Sequence, residues 1–114
     1  VDVSDEMNPE PISVLPPPAS PDEYPGERFG PHNLHEMRPG TFVSSDIVYL
    51  TYFAGGLRAY DLSDPRNPEE VASCVPESPH GRDGIEINDV VVNTERIAYI
   101  TDRHAGGLYV IQHD

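Results

Sequence analysis

"DIVYLTYFAGGLRAYDLSDPRNPEEVASCV", residues 46–75, contains three strand-like runs separated by two turn signals. "IVYLTYF" and "GLRAYDLS" are rich in β-branched and aromatic residues, and Ala54-Gly55-Gly56 between them offers the positive φ that a tight hairpin requires. Asp64 to Pro68 closes the second run. Asp64 can cap its own turn, while Pro65 and Pro68 lack the N–H that would extend a ladder. "EEVASCV" then reads as an outer strand.

The same pattern recurs on both sides. "VDVSDEMNPEPISV" from Val1 aligns with "YDLSDPRNPEEVAS" from Tyr60, placing Asp2 on Asp61, Asp5 on Asp64, Asn8 on Asn67 and Pro9 on Pro68. "RIAYITDRHAGGLYVIQHD" from Arg96 aligns with the run from Asp46, placing Tyr99 on Tyr49, Thr101 on Thr51 and, after one inserted residue, Gly106-Gly107-Leu108 on Gly55-Gly56-Leu57. A unit of roughly fifty residues therefore repeats. A further strand candidate precedes each pair: "HNLHEM" before the first and "IEINDVVVN" before the second.

Four antiparallel strands per unit of this length predict an all-β chain, a partial β-propeller of four-stranded blades. Residues 1–15 read as the end of a preceding blade, and 16–30 as a Pro-rich inter-blade loop. Residues 31–83 read as a complete blade with its connecting loop, and 84–114 as a terminal blade still owed its fourth strand. On this reading the chain is the C-terminal part of a longer, closed propeller, and the remaining blades are its first partners. Residues 9–39 hold nine of the thirteen prolines, and the stretch "PPPASPDEYPG" within them cannot form ladder or helix.

Composition narrows the function classes. A net charge of −13, with twenty carboxylates against seven cations that are all arginine, excludes nucleic acid and anionic membrane surfaces as partners. No run approaches the ~20 apolar residues of a membrane-spanning helix. A secreted or periplasmic location is expected if a signal peptide precedes Val1 in the intact protein. The lone Cys74 excludes an internal disulfide and a Cys-rich zinc module, and its apolar neighbours make it a small buried hydrophobe.

His32, His35 and Glu36 form H-x-x-H-E, the candidate metal set, with a divalent transition metal as the cofactor it would take. Pro31 and Pro39 leave no room for a stable helix, and strand residues three apart point to opposite faces, so two imidazoles on one ion need a bulge. Three arrangements stay open. A bulge unites the histidines; or one of them joins donors from other blades; or the cluster is structural, with His32 on a backbone carbonyl and Glu36 paired to Arg38. Residues lining a polar channel are expected to be His32, Asn33, His35, Asn88, Asp89, Asp102 and Arg103, at or near the inner strands and strand ends. His80, His104 and His113 read as solvated loop residues.

"DVSDEMNP", "GGLRAYDLSDPRNPEEV" and "RFGPHNLHEMRPGTF" resemble the LVIVD repeat, a family of bacterial β-propellers, in which a Gly-Leu-hydrophobic strand runs into Asp-(Val/Leu)-Ser-Asp-Pro-x-x-Pro. The resemblance covers nearly the whole chain and implies a propeller scaffold of undefined activity. The chain departs from the repeat at Glu6-Met7 and at Gln112-His113-Asp114. A more distant likeness is to the selenium-binding, methanethiol-oxidising propellers with a copper ion among inner-strand histidines; no motif aligns with them residue by residue. Two functions are thus expected: a scaffold binding a small molecule or protein, or a metal-dependent enzyme, oxidoreductase or hydrolase, completed by His32 or His35.

Overall fold

The runs between Ile47 and Cys74 form one antiparallel sheet in the computed structural model, which describes residues 1–18, 21–79 and 81–112. Strands β1 (Ile47–Thr51), β2 (Leu57–Asp61) and β3 (Glu69–Cys74) lie in the order β1-β2-β3. A second antiparallel sheet holds β4 (Ile87–Val92), β5 (Ile97–Asp102) and β6 (Gly107–Gln112) in the order β4-β5-β6. Among the described residues there is no α-helix, only a 3₁₀ turn at Pro21–Glu23. The chain is all-β, as its strand-like runs predict.

The two turn signals work as the residue types require. In the β1–β2 hairpin, Tyr52 N donates to the Gly56 carbonyl at 2.8 Å, and Gly56 sits at φ +73°. A Cβ on Gly56 would lie 2.2 Å from the Cys74 carbonyl oxygen, so glycine is required twice over, by φ and by the passing β3. Its repeat counterpart Gly107, at φ +137°, has nothing within 4 Å of the same position.

The Asp-rich turn is built identically in both copies. Asp5 accepts from Met7 N at 3.1 Å and Asn8 Nδ2 at 2.7 Å; Asp64 accepts from Arg66 N at 3.0 Å and Asn67 Nδ2 at 2.7 Å. Asp2 caps Ser4 as Asp61 caps Ser63, and Asp2 bridges to Glu10 as Asp61 pairs with Glu69. All four carboxyls are held below the usual range. For Asp5 and Asp64 the Asn side chain is the main cause, and for Asp2 and Asp61 it is the serine N–H.

The strand expected at "HNLHEM" is present only as isolated bridges to the first sheet. Phe29 pairs with Phe53 and Leu34 with Leu50, five steps along one chain against three along the other. That slip, with Pro31 inside it lacking an N–H, breaks a regular ladder. The backbone bonds that survive are His32 N to Thr51 O, Thr51 N to Asn33 O and His35 N to Tyr49 O, each 2.9 Å.

One core joins the sheets. Tyr49, Leu57 and Ala59 of the first pack with Val90, Val92, Ala98 and Ile100 of the second, and Phe42, Ile85 and Ile87 complete the cluster. Full burial of side chains such as Ile87, Val92 and Ile100 contributes about 1.5–3 kcal/mol each. The opposite side of the first sheet presents Leu50 and Tyr60, which Leu15 and Phe29 of the Pro-rich segment cover. Tyr60 is fully buried there and donates its hydroxyl to the Pro16 carbonyl at 3.0 Å. The opposite side of the second sheet is bare: Leu108 and Val110 are each 60% exposed and Val91 51%.

Candidate functional site

The slipped segment brings its side chains against the start of β4. His32 Nδ1 donates to the Asn88 carbonyl at 2.8 Å, and Thr51 Oγ1 donates to the same oxygen at 3.0 Å. Asn33 Nδ2 donates to Asp89 Oδ1 at 3.1 Å, and Arg103 Nη1 reaches Asn88 Oδ1 at 3.5 Å. Arg103 Nε also stands 3.6 Å from Glu86. The His32 ring meets the Phe53 ring edge to face at 4.9 Å, and the Arg28 guanidinium lies over Phe53 at 4.4 Å. Phe53 itself holds a left-handed φ of +49° while its backbone exchanges two hydrogen bonds with Ile87. A side chain in that region is strained and stays there because pairing on both sides fixes it.

Five of the seven expected channel residues, His32, Asn33, Asn88, Asp89 and Arg103, thus gather at one end of the two sheets. The other two are placed elsewhere. His35 is 6% exposed, accepts from Val92 N on Nδ1 at 3.1 Å and donates from Nε2 to the Phe42 carbonyl at 2.9 Å. Those partners fix a neutral ring protonated on Nε2, with neither nitrogen available to a metal in this arrangement. Asp102 is buried, and its Oδ1 accepts from Glu86 N, His104 N and Ala105 N, holding the β5–β6 turn.

For the expected metal set, His32 and His35 both turn toward β4 but bond it at separate points, Asn88 and Val92, and Glu36 pairs with Arg38 at the surface. This is the geometry of the third arrangement, with His32 on a backbone carbonyl. No group of three or more His, Cys, Asp or Glu among the described residues could hold an ion. Of the two histidines in this set, only His32 keeps a nitrogen, Nε2, without a protein partner among the described residues. His104 is exposed, while His80 and His113 fall outside the described residues. Cys74 is half-buried on β3.

Thr51, Phe53, Arg28 and Glu86 complete the cluster without having been singled out by the sequence. Thr51 carried a usable signal, since the repeat places Thr101 on it. An open groove of about 750 Å³ runs beside the cluster, with Asn33, Leu34, Glu36, Asp89 and Val91 among its walls. The arrangement offers mixed donors and acceptors, suited to orienting a polar ligand. No helix among the described residues is long and apolar enough to cross a membrane. The chain matches no family model, no curated protein and no solved structure.

Proposed function

We propose that the two sheets are consecutive blades of an LVIVD-type β-propeller and that the chain serves as a binding scaffold, with its ligand at the His32–Asn33–Asn88–Asp89–Arg103 end. One observation carries the blade reading. The side of the first sheet that receives the second presents Tyr49, Thr51, Leu57 and Ala59, and the repeat places Tyr99, Thr101, Leu108 and Val110 on those positions. The latter lie on the bare side of the second sheet. Each unit thus offers the same side to its successor, a head-to-tail stacking that propellers use and that a two-fold sandwich does not.

The polar cluster lies where the leading strands of both units meet, the position from which propeller blades line a channel. Heteronuclear NMR on the 15N-labelled chain, titrated in turn with polyol, amino-acid and divalent-metal probes, tests the site. Shifts confined to His32, Asn33, Asn88, Asp89 and Arg103 support it. Perturbations that map elsewhere, or none with any probe, remove it.

A second reading, the metal-dependent enzyme, is favoured by His32 alone. A histidine that donates one ring N–H to a backbone carbonyl and keeps the other nitrogen free has the form of a metal ligand with its outer partner in place. Its co-ligands would have to come from other blades. Co²⁺ titration of the intact protein beside His32→Ala decides: stoichiometric binding lost in the variant supports the enzyme, and no binding in either excludes it.

A further inference from the structure

A hollow of about 300 Å³ opens between the two sheets, away from the polar cluster. Its walls include Tyr49, Leu57, Ala59 and Ala72 of the first sheet and Ala98 and Ile111 of the second. Sheets stack about 10 Å apart, a gap that large side chains normally fill. Here three alanines leave it open, and at one of them, Ala59, the repeat has Val110 instead. The volume lies within the range of small-molecule pockets.

The hollow carries one cation, Arg96. This residue occupies a left-handed φ of +62° in the β4–β5 hairpin, where its N–H donates to the Asn93 carbonyl at 3.1 Å. A type I turn followed by a left-handed residue ordinarily ends in glycine. Arginine there carries backbone strain, and its guanidinium lies over the Phe42 ring at 5.5 Å. Among the described residues no carboxylate stands within ion-pair distance of it, although twenty occur in the chain. A largely apolar chamber whose wall holds a fork-shaped cation with no carboxylate partner among the described residues suits a hydrocarbon ending in a carboxylate.

We infer that the inter-sheet hollow binds a medium-chain alkyl carboxylate, its chain among Tyr49, Leu57, Ala59 and Ala98 and its carboxylate on the Arg96 guanidinium. The site is independent of the polar cluster and of the propeller reading. Cys74, which also lines the hollow, provides a reporter without a role in binding.

Calorimetric titration of the 114-residue chain with octanoate is the test, alongside Arg96→Gly and Ala98→Leu. Glycine suits the φ of position 96, so Arg96→Gly removes the guanidinium, with its stem and its contact on Phe42, without straining the backbone. The expected result is saturable one-to-one binding that weakens roughly 10- to 100-fold in Arg96→Gly. Ala98→Leu, which fills the hollow, is expected to abolish it. Uncharged 1-octanol should bind the parent and Arg96→Gly chains alike. Octanoate should slow iodoacetamide modification of Cys74 in the parent chain and, at the same concentration, leave the rate in Arg96→Gly unchanged. Absence of saturation, equal octanoate affinity in Arg96→Gly, or an unchanged Cys74 rate in the parent chain each overturns the assignment.

Discussion

His35 links the sheets through two hydrogen bonds at a buried position, so its removal orphans the Val92 N–H and leaves the Phe42 carbonyl only a long 3.5 Å bond from Thr41 Oγ1. His35→Ala is expected to destabilise by about 2–4 kcal/mol in urea denaturation, against less than ~1 kcal/mol for exposed His32→Ala. Gly56→Ala should cost roughly 2–4 kcal/mol as well, from φ strain plus the collision with the Cys74 carbonyl. Strand alternation predicts that His32 and His35 point to opposite faces, and it fails because the slip around Pro31 turns both toward β4. It cannot say which one is buried, because that depends on where β4 lies, more than fifty residues along the chain.

Turns and strands were the most legible elements. All six strands lie within runs that composition and glycine spacing mark out, and the Asp-x-Ser-Asp turn repeats with the same bonds because the same side chains are present. "HNLHEM" was misleading as a regular strand, since a register slip around Pro31 depends on the partner strand. These elements also set the response to pH. Asp2, Asp5, Asp61 and Asp64 have folded-state values below 3.8, so their stabilising effect is present above that pH and is lost as pH falls through the lowered values. Acid denaturation followed by circular dichroism should therefore steepen below about pH 4, and less so in Asp5→Asn/Asp64→Asn. Tyr60 acts at the other extreme. Burial, reinforced by Glu70, pushes its phenol up to about 12, so its contribution is complete below pH 10 and disappears between there and about 12. Tyr60→Phe is expected to remove that alkaline step and to lose the anchor on Pro16, read as a lower midpoint at pH 7.

For the whole molecule, the decisive features are the shared core and the side of the second sheet that no described residue covers. Leu108, Val110 and Val91 form an apolar surface next to a β6 edge paired on one side only, a combination that promotes association. Sedimentation velocity should show concentration-dependent self-association of the 114-residue chain, strengthened by salt that screens its net charge of −13, and reduced in Leu108→Lys/Val110→Glu. A monomer across the concentration range would speak against the stacking. The repeat made the existence of this surface inferable. The cover over the first sheet, built from Leu15 and Phe29, was not legible, because proline-rich chain has no period that reveals what it touches.

Gly107 turns that surface into a gauge. While the β6 edge is bare, alanine at this position costs only its backbone strain, since the space around it is empty. Once a strand runs along β6 as β3 runs along β2, the same methyl group collides with a carbonyl, as it would at Gly56. The tolerance of one position to one methyl group therefore reports whether the neighbouring strand has arrived, in the 114-residue chain and in any longer protein that carries it.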